Sequence, residues 1–195
     1  IEYRAYAPDT NIKPFTMEQY GELRPLIDRV AGTLSEPMEP TTGRRLTPAR
    51  VIAPGGRLEL RLPSGSAAIR SLGVRVSKEA ASTWDQTLRS TVLIIHFDGQ
   101  ETIWCPLGEF FGCGVGLNQL RGWTRQVDED GAMRCCWVMP YGKTAELAIV
   151  NFGNKPVEVQ ATVCVDDWTW DDRSMYFHCA WRRRPNIATR PFSDF

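Results

Sequence analysis

The chain has 195 residues, 43% of them apolar, and a formal net charge of zero from 23 basic and 23 acidic side chains. A chain of this size and composition folds as one globular domain, or as one domain with an appendage. The charge balance disfavours a nucleic-acid partner, because such proteins carry a basic excess. No apolar run approaches the roughly 20 residues of a membrane helix, so we expect no membrane partner either.

The first 44 residues are predicted to form an appendage, the end of an upstream region, with a strand, a helix and a linker. Residues 1–6 are strand-like, and Thr16 with Gln19 forms a capping box that predicts a helix start. Pro25 is expected to kink this helix or to end its first half. Its apolar stripe, at three- and four-residue spacing, is expected to pack on the following domain or on one outside the chain. The stripe consists of Met17, Tyr20, Leu23, Ile27, Val30 and Leu34.

Residues 45–195 are predicted to form a β-sandwich. Leu58, Leu60 and Leu62 alternate with charged side chains, and similar runs of period two recur to residue 181. Turns rich in Gly, Pro and Asp separate the runs, which is typical of sandwiches and barrels. We therefore predict a mainly all-β fold, an antiparallel jelly-roll sandwich with one N-terminal α-helix.

Six cysteines allow two interpretations. An even number is compatible with three disulfides, but Cys135 and Cys136 are adjacent, and neighbouring strand residues face opposite sides. The sequence contains no C-x-x-C pair, which disfavours a zinc site. Six buried free thiols are the preferred interpretation, and neither a metal nor a cofactor is expected.

The stretch of residues 97–116, FDGQETIWCPLGEFFGCGVG, concentrates carboxylates, glycines and aromatic rings. It contains Asp98, Glu101 and Glu109. Carboxylates beside aromatic rings suit carbohydrate, because acids bind hydroxyls and rings stack on the C–H face of a sugar. Glycosidases use two carboxyl groups about 5–9.5 Å apart, and Glu101 and Glu109 could meet across a loop. The alternative is a hairpin turn with solvated acids.

A second aromatic feature lies near the end of the chain. Trp168 and Trp170 stand among aspartates in what resembles an exposed loop, which indicates a sugar platform or an interface. His96 and His178 both fall in strand patterns, so a structural role is the simpler interpretation for each. Two histidines without an acidic cluster make a weak case for a metal site.

Several motifs in combination resemble those of one enzyme family. Residues 98–101 and 106–112, DGQE and PLGEFFG, are similar to its DGE…PLGDFFG signature. Residues 137–141 and 148–151, WVMPY and AIVN, resemble its MPY strand and the I-x-L-x-N segment that follows. Residues 174–182, SMYFHCAWR, resemble its FHAxWR strand. The chain thus resembles glycoside hydrolase family 172, the jelly-roll family long called a domain of unknown function, over nearly its whole length.

The resemblance implies a hydrolase of furanosides, since characterised members are α-D-fructofuranosidases and α-D-arabinofuranosidases. It implies two jelly rolls per subunit and sites near the subunit interfaces of trimers or higher oligomers. The chain departs from the pattern at Cys105, where the family has Glu, and at Glu109, where it has Asp. The family's catalytic glutamates lie in a later WWGEGE…GTGTED stretch that these residues do not contain, so no catalytic residue is transferred.

The leading hypothesis is a segment of a furanoside-acting glycoside hydrolase, with a carbohydrate, further copies of the chain and a second jelly roll as partners. Whether the chain is itself an enzyme stays open, as does its compartment. Alternatives are a non-catalytic carbohydrate-binding or assembly module and a self-sufficient enzyme with Glu101 and Glu109 as its catalytic pair. The expected substrate contacts are Glu109, Phe110, Phe111, Trp168, Trp170 and His178.

Overall fold

The computed structural model describes residues 5–11, 13–36, 38–77 and 83–186. The chain divides into two compact units, Ile1–Ser35 and Glu36–Phe195. The predicted boundary at residues 44 and 45 stays a prediction, and the first four residues of the predicted N-terminal strand lie outside the described residues.

The first unit contains the predicted helix, α1, Met17–Leu34. The capping box is present: the Gln19 backbone N–H donates to the Thr16 hydroxyl at 3.2 Å, and the Thr16 N–H donates to the Gln19 side chain at 3.3 Å. The helix continues through Pro25, so the expectation that Pro25 ends its first half is wrong. Because neighbouring turns keep their hydrogen bonds, one missing N–H does not stop a helix of this length. None of the residues of α1 is buried.

The second unit is a β-sandwich, which confirms the predicted fold class. The strands in chain order are β1 Arg44–Leu46, β2 Ala49–Ile52, β3 Arg57–Arg61, β4 Ala67–Val76, β5 Thr91–Phe97, β6 Gln100–Pro106, β7 Leu120–Arg121, β8 Arg125–Val127, β9 Ala132–Cys135, β10 Met139–Tyr141, β11 Ala145–Asn151, β12 Val157–Asp167 and β13 Cys179–Ala180. Two short helices that the sequence did not predict, α2 Trp84–Ser90 and α3 Leu107–Phe111, flank β5 and β6.

The strands form two sheets around one core. The larger sheet has the order β1-β12-β4-β9-β8-β7, with β2 paired to β12 and β10 paired to β4. The smaller sheet has the order β13-β6-β5-β11-β3. All pairings are antiparallel except that of β13 with β6, which is parallel. Buried side chains from both sheets, such as Leu72, Val163, Leu93 and Ile149, form one apolar cluster.

The buried Asn151 closes one end of the smaller sheet. Its side-chain amide donates to the carbonyls of Ile52 at 3.0 Å and Lys155 at 2.8 Å, and its carbonyl oxygen accepts from the Gly153 N–H at 2.8 Å. Each polar atom of this buried side chain therefore has a partner, as buried polar groups require. The Asn of the AIVN motif has a structural role here.

Candidate functional site

Glu109 lies on α3, which follows β6 without an intervening loop. The helix ends at Gly112, whose φ of 86° is in the left-handed region and whose N–H donates to the Gly108 carbonyl at 3.0 Å. Within this single turn, the side chain of Glu109 is 29% exposed, while Phe110 and Phe111 are buried. The turn thus anchors itself through its two phenylalanines and presents one carboxylate at the surface.

The Glu109 carboxylate forms an ion pair with Arg89 at the end of α2. The Arg89 guanidinium carbon lies 4.3 Å from the centre of the Trp181 ring, a cation–π contact. Trp181 follows β13 directly, and its backbone N–H donates to the Trp104 carbonyl at 3.0 Å. The parallel pairing of β13 with β6 therefore brings the PLGEFFG and SMYFHCAWR motifs together, although about 70 residues separate them.

Two further rings extend this cluster. The Trp104 and Trp181 rings are stacked with centres 6.3 Å apart, and Phe152 lies 6.4 Å from Trp104. Phe152 is 60% exposed, so the row reaches the surface. We call Arg89, Glu109, Trp181, Trp104 and Phe152 the Glu109 cluster. It combines a carboxylate, a guanidinium and aromatic faces, which are the groups that bind sugar hydroxyls and C–H faces.

A hollow of about 180 Å³ opens beside the cluster between α2 and α3. Two carboxylates, those of Asp85 and Glu109, and the Arg89 guanidinium line it together with apolar atoms. Such a volume is below the usual range for a drug-sized ligand. The hollow could therefore hold one small group, such as a hydroxymethyl group or one edge of a sugar ring. Its lining consists of Asp85, Leu88, Arg89, Gly108, Glu109, Gly114 and Val115.

Glu101 does not join this site. It lies at the start of β6, opposite His96 on β5, with His96 Nε2 3.9 Å from its carboxylate. Glu101 lies near the first residue of β6 and Glu109 lies just beyond its last residue. A strand of seven residues spans roughly 20 Å, which is therefore about the distance between the two acids. The expectation that the two acids meet across a loop is wrong, because a strand and not a loop connects them. The pair does not have the spacing of a glycosidase dyad.

Asp98, the third acid of the stretch, is a structural clamp. Its carboxylate accepts from the backbone N–H groups of Gly142, Lys143 and Thr144 at 2.7–2.8 Å, and from the Tyr176 hydroxyl at 2.8 Å. Burial raises the pKa of Asp98, but these four hydrogen bonds outweigh it and hold the pKa below its ordinary value. Asp98 fixes the turn before β11 to the hairpin between β5 and β6.

The Trp168 and Trp170 loop lies at the other end of the smaller sheet from Glu109. Trp170 packs on Tyr176 with ring centres 4.9 Å apart, and Tyr176 bonds Asp98. Trp168 donates its indole N–H to Ser174 at 3.1 Å and lies under the Arg70 guanidinium. Both tryptophans are half-buried, so each presents only part of its ring to solvent.

The remaining predicted contacts differ in accessibility. His178 is exposed on the segment that runs from Tyr176, beside Asp98, to Trp181, beside Glu109. Phe110 and Phe111 contact each other edge to face at 5.1 Å inside the core, and Phe110 also contacts Phe177. Both phenylalanines serve the core and have no surface for a substrate.

Sequence reasoning missed Arg89, Trp104 and Phe152. The alternation in β6 carried a signal for Trp104, because Ile103 and Cys105 on either side of it are buried. No local pattern marked Arg89, since its partners Glu109 and Trp181 are reached only through the fold. Phe152 lies in the turn after β11, where an isolated exposed ring is common.

All six cysteines are free, as predicted, but the prediction that all six are buried is wrong at Cys179, which is half-buried on the edge strand β13, while the other five are buried. Cys179 is half-buried beside Cys105, and a hydrogen bond from the Cys105 thiol lowers the pKa of Cys179 to about 7 although burial opposes this. The same contact, together with burial, raises the pKa of Cys105. Burial also raises the pKa of the Cys113, Cys135 and Cys136 thiols, so Cys179 is more acidic than these and than Cys105.

No group of three or more His, Cys, Asp or Glu side chains among the described residues is placed to hold a metal ion. Their helices include none with the length and apolar character needed to cross a membrane.

Comparison with protein-family models identifies a family for most of the sandwich. A protein-family model described as GH172 domain-like matches residues 44–163, which extend from β1 into β12. The matched range includes Glu109, Arg89, Trp104 and Phe152. No curated protein matches the chain.

Proposed function

This chain belongs to the GH172 domain-like family, and from that premise we propose that it is the jelly-roll segment of a glycoside hydrolase that acts on furanosides. The Glu109 cluster is the observation that supports the proposal. It brings the PLGEFFG and SMYFHCAWR motifs together around one carboxylate and a row of aromatic rings. A fructofuranosyl or arabinofuranosyl group offers hydroxyls and a C–H face to such a surface.

We assign the bond-breaking glutamates to a second jelly roll. Within this chain, Glu109 is paired with Arg89 and lies roughly 20 Å from Glu101, which supports a division of labour between the two halves. In a retaining reaction one glutamate attacks the anomeric carbon and the other acts first as an acid and then as a base. Glu109 would contact substrate hydroxyls next to these two catalytic glutamates.

Substrate contacts are proposed for groups that reach the surface at least in part. Glu109 would accept hydrogen bonds from sugar hydroxyls, Arg89 would donate them, and Trp104 and Phe152 would cover the apolar face. The Trp168 and Trp170 loop lies too far from Glu109 to bind the same ring. Its partly exposed tryptophans suit a distant unit of a longer substrate, and His178, between the two ends, suits a unit between them.

A homo-oligomer, a trimer or a multiple of one, is proposed for the assembled protein. The apolar side chains of α1 support it, since Met17 is 72% exposed and Leu23, Val30 and Leu34 are about half exposed. Exposed apolar stripes of this length mark association surfaces. The helix would pack against another copy of the chain or against the second jelly roll.

Kinetics of the parent gene product test the role of Glu109. With p-nitrophenyl α-D-arabinofuranoside or difructose dianhydride as substrate, Glu109→Gln is expected to lower kcat/KM at least tenfold, about 1.4 kcal/mol, mainly through KM. Glu158→Gln, at an exposed position on β12, is the matched control and should leave the kinetics unchanged. Equal kinetics for both variants would contradict the proposed contact.

The alternative is a non-catalytic carbohydrate-binding module. The separation of Glu101 and Glu109 favours it over a self-sufficient enzyme, because the chain then supplies recognition without a catalytic pair. If neither the isolated chain nor the parent product hydrolyses the two substrates, while the isolated chain binds them saturably, the module interpretation replaces the hydrolase proposal.

A further inference from the structure

The outer face of the larger sheet carries a second cavity, remote from the Glu109 cluster. Its volume is about 450 Å³, within the range of small-molecule sites. Neighbouring positions on β12, β4 and β9 form its floor, because the register places Gly73 opposite Thr162 on one side and Arg134 on the other. We call this cavity the sheet groove.

Small side chains on the floor of the sheet groove leave open space above the sheet. Gly73 lies in the middle, and Ser71 and Ala132 lie on neighbouring rows. A Cβ atom added at Gly73 would lie 3.6 Å from its nearest neighbour, an ordinary contact, and the φ of Gly73 is not in the left-handed region. The glycine is therefore not required by the backbone, and its effect is to leave open space above the sheet.

The floor also contains a polar group that no protein partner satisfies. Ser71 is only 4% exposed and lines the groove, and its hydroxyl has no hydrogen-bond partner among the described residues. The fully enclosed unpaired hydroxyls of the described residues are those of Thr91 and Thr102, so the Ser71 hydroxyl opens to the groove. The Thr162 hydroxyl, opposite Gly73, likewise has none in the described part of the chain. Both hydroxyls therefore reach the groove without a protein partner, and a ligand hydroxyl could exchange hydrogen bonds with them in place of water.

Charged side chains rim the groove in compensated pairs. Arg134 pairs with Glu39, and Arg75 pairs with Asp130 at 2.5 Å. Arg45 donates to the Pro40 carbonyl at 3.3 Å and keeps other N–H groups for a ligand. The rim thus offers both donors and acceptors with little net charge, and Glu39 and Asp128 would repel an anion.

We propose that the sheet groove is a second binding site for a saccharide, separate from the Glu109 cluster. A sugar hydroxyl both donates and accepts, which matches a floor of unpaired hydroxyls and a rim of guanidinium and carboxylate groups. No aromatic ring is among the residues that line the groove, so hydrogen bonds would hold the sugar edge-on. The choice of a saccharide among polyhydroxylated ligands rests on the proposed function.

The test is an NMR titration of the ¹⁵N-labelled chain with sucrose and with methyl α-D-arabinofuranoside. Saturable shifts are expected at the Nε–H groups of Arg45 and Arg134 and at the amides around Ser71. Gly73→Val, which fills the floor, should weaken binding at least tenfold, and Ser71→Ala about threefold or more. Ala148→Val, a similar change on the outer face of the smaller sheet, is the control and should leave the affinity unchanged.

Three results would overturn the proposal. They are the absence of saturable shifts with either sugar, equal affinity of Gly73→Val and wild type, and a saturable response to inorganic phosphate alone. Glu109→Gln separates this proposal from the proposed function, since it should leave the shifts at Arg45 and Arg134 unchanged. If Gly73→Val does not fold, Ser71→Ala alone decides, and unchanged affinity in that variant contradicts the site.

Discussion

Asp98, Glu101 and Glu109 are chemically alike and close in sequence, yet each has different neighbours. Asp98 accepts four hydrogen bonds, Glu101 lies beside His96, and Glu109 pairs with Arg89. Sequence reasoning could mark all three as candidates from residue type. It could not separate them, because the groups around Asp98 come from residues 142–144 and 176, which only the sheet pairing brings near.

The clamp at Asp98 predicts an acid-sensitive fold. Asp98→Asn is expected to lower the free energy of unfolding by about 2–3 kcal/mol at neutral pH, because an amide N–H₂ would face backbone N–H donors. The pKa of folded Asp98 lies below its ordinary value of 3.8. Its contribution is therefore fully present above that value and is lost as the pH falls through the folded pKa.

Urea unfolding of both proteins between pH 2.5 and pH 7 measures this effect. The difference between wild type and Asp98→Asn should shrink on acidification, whereas Asp172→Asn, at an exposed position, should differ little from wild type at any pH. A difference of constant size across this range would show that the charge of Asp98 does not stabilise the turn.

Cys179 is predicted to be the first cysteine to react. Its thiol has a pKa of about 7 and is half-buried, while the other five cysteines are buried, and the thiolate is the reactive form. Brief treatment of the native chain with iodoacetamide, followed by peptide mass spectrometry, should find Cys179 modified ahead of the others, with a rate that rises through pH 7. Earlier modification of Cys113 or Cys136 would contradict the assignment.

At the scale of elements, local sequence patterns predicted those strands and helix ends that interactions between neighbouring residues determine. The alternation of Leu58 and Leu60 with charged residues predicted β3, and the capping box at Thr16 predicted the start of α1. The helices α2 and α3 were missed, because seven and five residues are too few for a helical period to show. The last predicted strand, which ended at residue 181, is reduced to the two residues of β13 in the structure. No local sequence pattern marks a short parallel pairing at the edge of a sheet.

Two hairpin turns offer a matched test of backbone strain against steric clash. Gly99 and Gly131 both have a φ above 80°, but a Cβ at Gly99 would meet nothing within 4 Å. At Gly131 it would lie 2.6 Å from the Trp84 ring and 2.8 Å from the Val76 carbonyl oxygen. Gly99→Ala should cost about 1 kcal/mol of unfolding free energy from φ alone. Gly131→Ala should cost roughly 3 kcal/mol, because overpacking adds to the strain.

Chemical denaturation of the two variants provides the comparison. Gly99→Ala serves as the control for the backbone cost, so the difference between the variants reports the clash of the added Cβ with the Trp84 ring and the Val76 carbonyl. Equal losses of stability would mean that the surroundings of Gly131 adjust without cost and that close packing does not fix the β8–β9 turn.

The apolar stripe of α1 predicts self-association. Leu23→Lys combined with Ile27→Lys places charge on the exposed stripe, and burying those charges at an interface is costly. Sedimentation velocity at micromolar concentration should show a smaller species for this variant than for wild type, while Glu22→Lys on the same helix should not change the distribution. An unchanged distribution for the double variant would exclude α1 from the interface.

For the whole molecule, the β-sandwich places the predicted substrate contacts at two ends. Glu109 lies near one end of β6, and the Trp168 and Trp170 loop lies near the other, with the 176–181 segment between them. Both features suit carbohydrate, and the sequence alone did not show how far apart they lie. The fold separates them, so this chain is proposed to contact an extended substrate while a second jelly roll supplies the catalytic acids.

The most direct test is hydrolysis of p-nitrophenyl α-D-arabinofuranoside and difructose dianhydride by the isolated 195-residue chain and by the parent gene product, measured side by side. We predict turnover by the parent product and none by the isolated chain, although the isolated chain should bind the sugar. Turnover by the isolated chain that is lost in Glu109→Gln would contradict this account, since the catalytic acid would then lie within these residues.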